Sequence, residues 1–482
     1  LAWPRQLSTA SSTVSPSVSW QASPMPSLLK SAWVGLTTAG QLSQASPAPS
    51  PSPSVCVGSA AAGHTSQASP TPSPSASVVS AFLLAVSSCF AQEISEKNIR
   101  KHVAYLASDK LEGRGTGTAA ERKAAEYIAK QFKKAGLTPK GDHGTWYHEF
   151  GFKKPSDPHG NFAEDAPQIY SRNVVGYLDN GAANTIIIGA HYDHLGLGHD
   201  HNSLEANSEG KIHNGADDNA SGTSGVIELA RYFAKNDVKE QHNFLFICFS
   251  GEELGLIGSK KYTDYPTIDL TKVHFMLNMD MIGRLNAEKK LVVGGVGTAP
   301  DFVPMVKSLT TDLSIKLDSA GVGPSDHTSF YLKNIPVLFF FTGQHSDYHK
   351  PSDDTERVNF AGEKQVLDLA VQAIKILDSK PKLVFQETKA KEENTPRFKV
   401  TLGIMPDYTW EGEGVHVDGV TDGKPASKAG VKKGDIITGL GDLSVKNIQD
   451  YMKALAAFKK GDTTTVKVKR DNAEQTLPVT FQ

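Results

Sequence analysis

A helical pattern of apolar residues marks the first folded part of the chain. Apolar residues recur every four positions from Ala120 to Phe132, and the run stops at Gly136. Thr118 precedes this run and Glu121 comes three residues later, which is the capping-box arrangement that begins many helices. The spacing therefore predicts a helix over about 119–135. Comparable patterns predict helices at about 222–235, 300–310 and 361–378.

Short apolar runs between these helices predict β-strands. Several runs are apolar at every position, which is typical of strands covered on both faces of a parallel sheet. The predicted strands are Asn173 to Leu178, Thr185 to Ala190, Asn243 to Ser250, Val273 to Asn278 and Pro336 to Phe341. Because strands and helices alternate, we expect an α/β domain over 93–385, with a largely parallel central sheet flanked by helices.

A smaller unit is predicted after a charged linker at residues 386–397. Residues 398–482 contain short strand candidates, with a helix expected at about 447–458. The pattern predicts a small β-rich domain. Its expected strands are Phe398 to Ile404, Val415 to Val420, Asp435 to Gly439, Thr464 to Lys469 and Gln475 to Phe481.

Residues 1–78 differ from the rest of the chain, because they are rich in Ser, Pro and Ala and show no helical or strand period. Such a stretch buries too little apolar surface to fold, so we expect a disordered or mis-translated leader. Residues 79–92 resemble a signal peptide, too short to span a bilayer. This predicts export to the periplasm, the envelope or the exterior, with lipid attachment at Cys89 as the alternative.

Composition excludes some classes of function. Lys and Arg total 50 and Asp and Glu total 52, so no overall field attracts nucleic acid or an anionic membrane. The three cysteines are widely spaced, which predicts neither a disulfide framework nor a cysteine zinc site. Function must therefore come from local clusters of residues.

Histidine and acidic side chains follow the predicted strands, where ligands collect in open α/β sheets. His191 follows one strand, Glu252 and Glu253 follow another, Asp280 follows a third, and His349 comes after the last. Adjacent carboxylates repel, so their position at a strand end favours a cation or a proton between them. The sequence therefore predicts a metal site at this edge of the sheet.

A loop at residues 214–222 adds two consecutive acids, Asp217 and Asp218, before a helix. An aspartate here can bridge two cations, and a second can orient the other ligands. Two histidines and three carboxylates, with Glu252 free, supply the nitrogen and oxygen donors that a pair of zinc ions requires. The chain contains no His-Glu-x-x-His, which excludes the single-zinc helical protease motif.

The order of these residues resembles peptidase family M28, the dizinc aminopeptidases of bacteria and fungi, over about 95–380. The resemblance rests on His191-x-Asp193, the glycine-flanked acids at 215–222, the Glu252-Glu253 pair, Asp280 and His349. It implies two zinc ions. The implied metal ligands are His191 and Asp280 for one ion, Glu253 and His349 for the other, and Asp217 as the bridge between them.

The same resemblance implies roles for residues around the ions. Glu252 would be the general base, and Asp193 would orient His191. Tyr348 would hydrogen-bond the oxyanion, or would be a packing aromatic. Residues 325–327 resemble a family loop beside the substrate pocket, with no assigned role. Solvated loop positions are expected for four further histidines, His194, His199, His201 and His213.

The C-terminal unit resembles a PDZ domain of the kind found in bacterial proteases. Residues 401–404 resemble the glycine loop that receives a peptide carboxylate, and residues 426–437 resemble the turn and strand that follow it. The resemblance implies binding of a peptide C-terminus or strand to this unit.

Together these features predict a zinc-dependent aminopeptidase acting on peptides or proteins through a metal-activated water. Two alternatives remain open from the sequence. One is a single-zinc hydrolase or a glutaminyl cyclase-like enzyme of the same fold. The other is a metal-free binding protein that acts through its PDZ unit.

Overall fold

The structure, a computed structural model, describes residues 92–153, 167–200, 202–205, 207–388, 400–407, 410, 412–421 and 423–481. The predicted leader, nearly all of the predicted signal segment, Cys89, His201 and most of the predicted linker lie outside these residues. Among the residues described, the structure contains no helix that is both long and apolar enough to cross a membrane.

Some helices begin at residues whose side chains cap the first turn. Thr118 accepts a hydrogen bond from the backbone N–H of Glu121, and Gly136 ends the same helix in the left-handed conformation. The helices are α1 (Glu96–Leu106), α2 (Ala119–Ala135), α3 (Gly222–Ala234), α4 (Ile257–Asp264), α5 (Phe302–Ser308), α6 (His327–Tyr331), α7 (Phe360–Asp378), α8 (Pro425–Ala429) and α9 (Ile448–Ala456).

A large mixed sheet forms the centre of the first domain, with its strands in the order β1-β3-β5-β4-β6-β9-β7-β8 and β2 paired to β3. The strands are β1 (Thr138–Pro139), β2 (Tyr147–Lys153), β3 (Gln168–Leu178), β4 (Thr185–His191), β5 (Asn243–Phe249), β6 (Val273–Met279), β7 (Lys290–Gly294), β8 (Ser314–Leu317) and β9 (Val337–Phe341).

The four central strands β5, β4, β6 and β9 run parallel to one another. The antiparallel partners β3 and β7 flank them. The predicted α/β domain with a largely parallel central sheet is therefore confirmed. Because the carboxyl ends of parallel strands meet at one edge of a sheet, the residues that follow β4, β5, β6 and β9 gather there.

Helices cover both faces of this sheet, which explains why its strands are apolar at every position. On β4, Ile186 and Ile188 belong to one core cluster and Ile187 to another. The first cluster includes residues of α1, α2, α3 and α7, and the second includes Tyr262 of α4 and Phe330 of α6. Alternate side chains of one strand thus pack on opposite layers.

A separate antiparallel sheet forms the C-terminal unit, in the order β10-β11-β12-β14-β15, with β13 paired to β12. A core of apolar residues, including Val417, Ile437 and Val466, fills it. Its strands are β10 (Ile404–Pro406), β11 (Val415–Val420), β12 (Ile436–Leu440), β13 (Leu443–Ser444), β14 (Thr463–Arg470) and β15 (Ala473–Thr480).

Most predicted elements occur within a few residues of their expected positions. The strand predicted at 398–404 is an exception, since β10 begins only at Ile404 and residues 400–403 are not in a strand. Several shorter or less apolar elements were not identified from the sequence, among them α1, α4, β2 and β7. In β2 only alternate residues are buried, so this strand carries no continuous apolar run.

Candidate metal centre

Six histidine and acidic residues meet at the carboxyl edge of the central strands and line one cavity. They are His191, Asp218, Glu252, Glu253, Asp280 and His349. His191 is the last residue of β4, and Asp280 directly follows β6. Glu252 and Glu253 follow β5, and Asp218 lies in the turn before α3. The parallel sheet therefore brings together residues that are far apart in the sequence.

The first group of ligand atoms surrounds the Nε2 atom of His191. This nitrogen lies 3.3 Å from Oδ1 of Asp218 and 3.3 Å from Oδ1 of Asp280. All three side chains are buried. Burial opposes protonation of His191, but Asp280 and Glu252 raise its pKa well above the usual value. This electrostatic environment attracts a positive charge.

The second group surrounds the Nε2 atom of His349. It lies 3.3 Å from Oδ2 of Asp218 and 3.1 Å from Oε2 of Glu253. Burial alone would raise the pKa of Glu253, but His349 and His194 lower it to about 2. The two oxygens of Asp218 thus face different groups, one on each side of the carboxylate.

The structure corrects the sequence prediction at Asp217. Its Oδ1 accepts a hydrogen bond of 2.6 Å from the backbone N–H of Gly283, and its Oδ2 lies 3.2 Å from Nε2 of His345. The turn between β4 and α3 directs this side chain away from His191 and His349. Asp218 occupies the position between the two groups that the sequence analysis had assigned to Asp217.

Asp353 fixes the backbone of this turn. One oxygen of its carboxylate accepts hydrogen bonds from the backbone N–H groups of both Asp217 and Asp218, at 3.0 and 3.1 Å. The carbonyl of Asp353 also accepts a bond from the N–H of Ala216. These contacts hold the two consecutive acids in fixed and different orientations.

Glu252 lies beside the first group, with Oε2 4.0 Å from Nε2 of His191. Its side chain is 11% exposed, so water in the cavity can reach it. Burial raises the pKa of Glu252 well above its usual value, although His191 lowers it. Glu252 is therefore a carboxyl group with a perturbed pKa beside the candidate ligands, which is typical of functional sites.

Several further contacts orient the ligands. The Nδ1 atom of His191 lies 3.2 Å from the backbone carbonyl of Asp193, whereas the Asp193 carboxylate is 3.7 Å away. That carboxylate instead accepts bonds from the hydroxyl of Thr116 and the backbone N–H of Glu252. Asp193 therefore connects the first ligand to the segment that carries the two glutamates.

Ser325 orients Asp280, a role that the sequence analysis had left open for the loop at 325–327. Its hydroxyl donates a bond of 2.7 Å to Oδ2 of Asp280 and accepts one of 2.8 Å from the side-chain amide of Asn278. Asp280 is thus left with Oδ1 facing His191. Outer contacts of this kind fix the direction of a metal ligand.

Arg114 is a fully buried residue that the sequence analysis missed. Its guanidinium donates to the backbone carbonyls of Leu106, Tyr192, Asn214 and Gly215, at distances from 2.6 to 3.0 Å. It therefore ties the turn after β4 to the loop that carries Asp218. No local pattern signals this role, because the four acceptors come from three separate segments.

An apolar cluster adjoins the ligands in the same cavity. It consists of Met281, Val292, Phe339 and Phe341, with Tyr348 packed against it. The ring of Tyr348 stacks on that of His349 with a centroid separation of 3.9 Å. Packing is thus one demonstrated role of this tyrosine.

Two histidines that were expected to be solvated are buried instead. His194 is 1% exposed, and its Nδ1 lies 2.6 Å from Oε1 of Glu253. His213 is fully buried and contacts the hydroxyl of Ser203 at 2.7 Å. His199 is exposed, as expected. All three histidines lie in one glycine-containing loop of the sequence. Contacts with distant segments determine which of them are buried and which is exposed.

The donor set suits zinc. Two ligands bonded to a tetrahedral zinc ion at about 2.1 Å are separated by about 3.4 Å. The nitrogen-to-oxygen distances within the two groups are 3.3, 3.3, 3.3 and 3.1 Å. Imidazole nitrogen and carboxylate oxygen are common zinc donors. Each group provides three protein donors, which leaves a position open for water or substrate.

Comparison with protein families identifies two domains. Residues 173–374 match peptidase family M28, and residues 386–481 match a PDZ domain. The matched region of the first domain contains all six residues of the candidate site.

Individual relatives match about a third of the chain. Aminopeptidase YwaD of Bacillus subtilis (strain 168) is 31% identical over 191 residues, covering 37% of this chain and 41% of the relative. Leupeptin-inactivating enzyme 1 of Streptomyces exfoliatus is 31% identical over 146 residues, which cover 30% of this chain and 32% of the relative. The chain thus spans less than half the length of these relatives.

Solved structures with a similar arrangement include a zinc aminopeptidase from Bacillus subtilis, with a TM-score of 0.47 and 18% identity. The match covers 62% of this chain and 97% of that one. A glutaminyl cyclase of Porphyromonas gingivalis also has a TM-score of 0.47, with 16% identity over 59% of this chain and 99% of the other.

Proposed function

We propose that this chain is an aminopeptidase with two zinc ions bridged by Asp218. The proposal starts from the matches of residues 173–374 to peptidase family M28 and of residues 386–481 to a PDZ domain. In this proposal His191 and Asp280 hold one ion, and Glu253 and His349 hold the other. Asp218 replaces Asp217 in the ligand set expected from the sequence.

The observation that carries the proposal is the position of the Asp218 carboxylate. Its Oδ1 is 3.3 Å from the His191 nitrogen and its Oδ2 is 3.3 Å from the His349 nitrogen. A carboxylate that presents one oxygen to each of two nitrogen-and-oxygen donor groups is suited to bridge two cations. In a binuclear site the ions are separated by about 3.5–4 Å.

Glu252 is the proposed general base. Zinc ions at this site would polarise the scissile carbonyl and make a water molecule acidic near neutral pH. Glu252, which is not needed as a ligand, accepts the proton of that water and delivers it to the leaving amine. Its backbone N–H is held by Asp193, which keeps the carboxyl group beside the cavity.

The apolar cluster beside the ligands favours substrates with an apolar first residue. Met281, Val292, Phe339 and Phe341 line the cavity that also contains Glu252. Burial of a leucine-sized side chain among them contributes about 1.5–3 kcal/mol. We therefore expect leucine or methionine derivatives to be cleaved faster than aspartate derivatives. A panel of aminoacyl-nitroanilides measures this preference.

For the PDZ unit we propose peptide binding by strand addition. The strand β10 lies at one end of the sheet order and pairs with β11 among the described strands. Gly403, directly before β10, has a φ of +72°, and a Cβ there would contact Lys424 at 2.3 Å. An exposed strand edge next to a glycine turn is a suitable acceptor for an extended peptide.

Export is proposed from the sequence alone, on the basis of the apolar run at 79–92. Fractionation of cells that express the chain, with N-terminal sequencing of the mature protein, tests it. Mature protein beginning close to Gln92 in the exported fraction supports export.

The test of the proposed activity compares Glu252→Gln with wild type. The variant should retain zinc but show kcat lower by about 10²–10⁴, since a general base contributes that factor. Glu240→Gln is the matched control, because Glu240 is buried away from the candidate ligands and contacts Asn236. Chelator should abolish wild-type cleavage of aminoacyl-nitroanilides, and added zinc should restore it.

Three outcomes would replace the proposal. One zinc ion per chain with cyclisation of N-terminal glutamine would favour a cyclase-like enzyme. One zinc ion per chain, together with hydrolysis of a substrate other than the aminoacyl-nitroanilides, would favour a single-zinc hydrolase. A zinc-loaded protein that cleaves none of the panel but binds peptides through residues 400–481 would favour the binding-protein alternative.

A further inference from the structure

His194 contacts a candidate metal ligand, although neither the sequence motif nor the proposed ligand set uses it. Its Nδ1 lies 2.6 Å from Oε1 of Glu253 and 3.9 Å from Oδ2 of Asp218. The other oxygen of Glu253, Oε2, lies 3.1 Å from Nε2 of His349. The two oxygens of one carboxylate therefore face two different imidazoles.

The short distance identifies the contact as a hydrogen bond. Two ligands of one zinc ion lie about 3.4 Å apart when each bond is about 2.1 Å, whereas 2.6 Å is within the range of charge-assisted hydrogen bonds. A metal-bound carboxylate is ionised and can only accept, so the proton must be on Nδ1 of His194. Nδ1 of His194 is therefore the donor of this hydrogen bond.

The surroundings prevent His194 from moving away. Gly215, whose φ is +55°, lies against the ring, and a Cβ at that position would be 2.4 Å from Cδ2 of His194. The backbone N–H of His194 donates to the carbonyl of Arg114, and its main chain pairs with that of Gly115. The imidazole is thus fixed between Gly215 and Glu253.

We infer that His194 is a positioning residue for the second zinc site, which holds Glu253 so that only Oε2 is directed at the ion. This inference rests on the proposed function. The buried Nε2 of His194 has no hydrogen-bond partner among the described residues, which agrees with a ring whose Nδ1 bond sets its position.

The test exploits the geometry of asparagine. The side-chain nitrogen of asparagine is two bonds from Cβ, as Nδ1 is in histidine, so His194→Asn keeps a donor near Oε1 of Glu253. His194→Ala removes it. We expect His194→Ala to weaken the binding of one zinc ion by about 10–100-fold, the usual effect of losing an outer contact. His194→Asn should recover most of that loss.

The measurement is zinc titration against a competing chelator, which reports the affinity of each site without using activity. The control is His102→Asn, a buried histidine that contacts Tyr127 rather than any candidate ligand. Only one of the two zinc-binding steps should change in His194→Ala. Equal loss in His194→Ala and His194→Asn would overturn the inference, because it would indicate that His194 is itself a ligand.

Unchanged zinc affinity in His194→Ala would overturn it as well. If His194→Ala does not fold, His194→Asn decides the question. The inference then requires His194→Asn to bind both zinc ions almost as tightly as wild type does. Failure of the proposed function is separately visible, because wild type itself would then bind fewer than two zinc ions.

Discussion

The carboxylates of Asp217 and Asp218 belong to adjacent residues and face different surroundings. Asp218 presents one oxygen to His191 and the other to His349, each at 3.3 Å. Asp217 accepts the backbone N–H of Gly283 at 2.6 Å. Asp218 thus belongs to the candidate metal centre, whereas Asp217 supports the loop that follows Asp280.

Substitution of the two aspartates separates these roles. Asp218→Asn should weaken the binding of both zinc ions and lower kcat by more than about 100-fold, which exceeds the 10–100-fold effect of an outer contact. Asp217→Asn should lower zinc affinity and kcat by no more than about 10–100-fold, and it should still bind two ions. Metal analysis together with kcat for both variants checks this, and a larger defect in Asp217→Asn would contradict the assignment.

Ser325→Ala should weaken zinc binding by about 10–100-fold, because it removes the bond that turns Oδ1 of Asp280 toward His191. Competitive zinc titration measures the effect. Ser329→Ala is the control, since Ser329 is also buried but contacts Ser259 rather than a candidate ligand. Equal effects of the two substitutions would remove Ser325 from this role.

Arg114→Met should lower the free energy of unfolding by about 3 kcal/mol or more, because it leaves several buried carbonyl groups without donors. The free energy of unfolding of Arg114→Lys should lie between those of wild type and Arg114→Met, since an ammonium group cannot reach all the acceptors that the guanidinium reaches. Urea unfolding measures both. Arg357→Met, at an exposed position, should change stability by less than about 0.5 kcal/mol. Near-normal stability of Arg114→Met would contradict the bridging role of its guanidinium.

His274 should make the fold less stable in acid. Burial and the neighbouring His242 lower its pKa from 6.5 to about 4. In the fold, one ring nitrogen contacts the carbonyl of Leu377 and the other accepts the N–H of Leu383. Protonation would break the second bond. The unfolded chain therefore takes up a proton more readily, and stability falls as the pH decreases from 6.5 toward 4.

The corresponding variant is His274→Asn, which cannot titrate. Its free energy of unfolding should decline less steeply between pH 6.5 and 5 than that of wild type, by up to about 1.4 kcal/mol per pH unit. Urea unfolding at several pH values gives the two slopes. Parallel slopes would show that His274 does not contribute to the pH dependence.

The sequence was sufficient for the central strands and for most of the candidate site, and the reasons are physical. Strands β4, β5, β6 and β9 are buried on both faces, so each is a continuous apolar run that stands out in the chain. Parallel pairing then places the residues at their carboxyl ends together. The positions of His191, Asp280 and Glu253 relative to one another follow from this pairing.

The remaining features depend on contacts that no local pattern encodes. Asp217 and Asp218 are chemically identical and adjacent, and only the backbone path, held by Asp353, determines which one faces the ligands. His194 looks like a loop histidine until Gly215 packs against its ring. Arg114 likewise has no acceptors until separate segments meet around it.

The most direct test of the proposed binuclear centre is anomalous diffraction at the zinc absorption edge from crystals of the zinc-loaded protein. We predict two peaks separated by about 3.5–4 Å, with the carboxylate of Asp218 between them. A single peak, or two peaks bridged by Asp217 instead, would contradict the account.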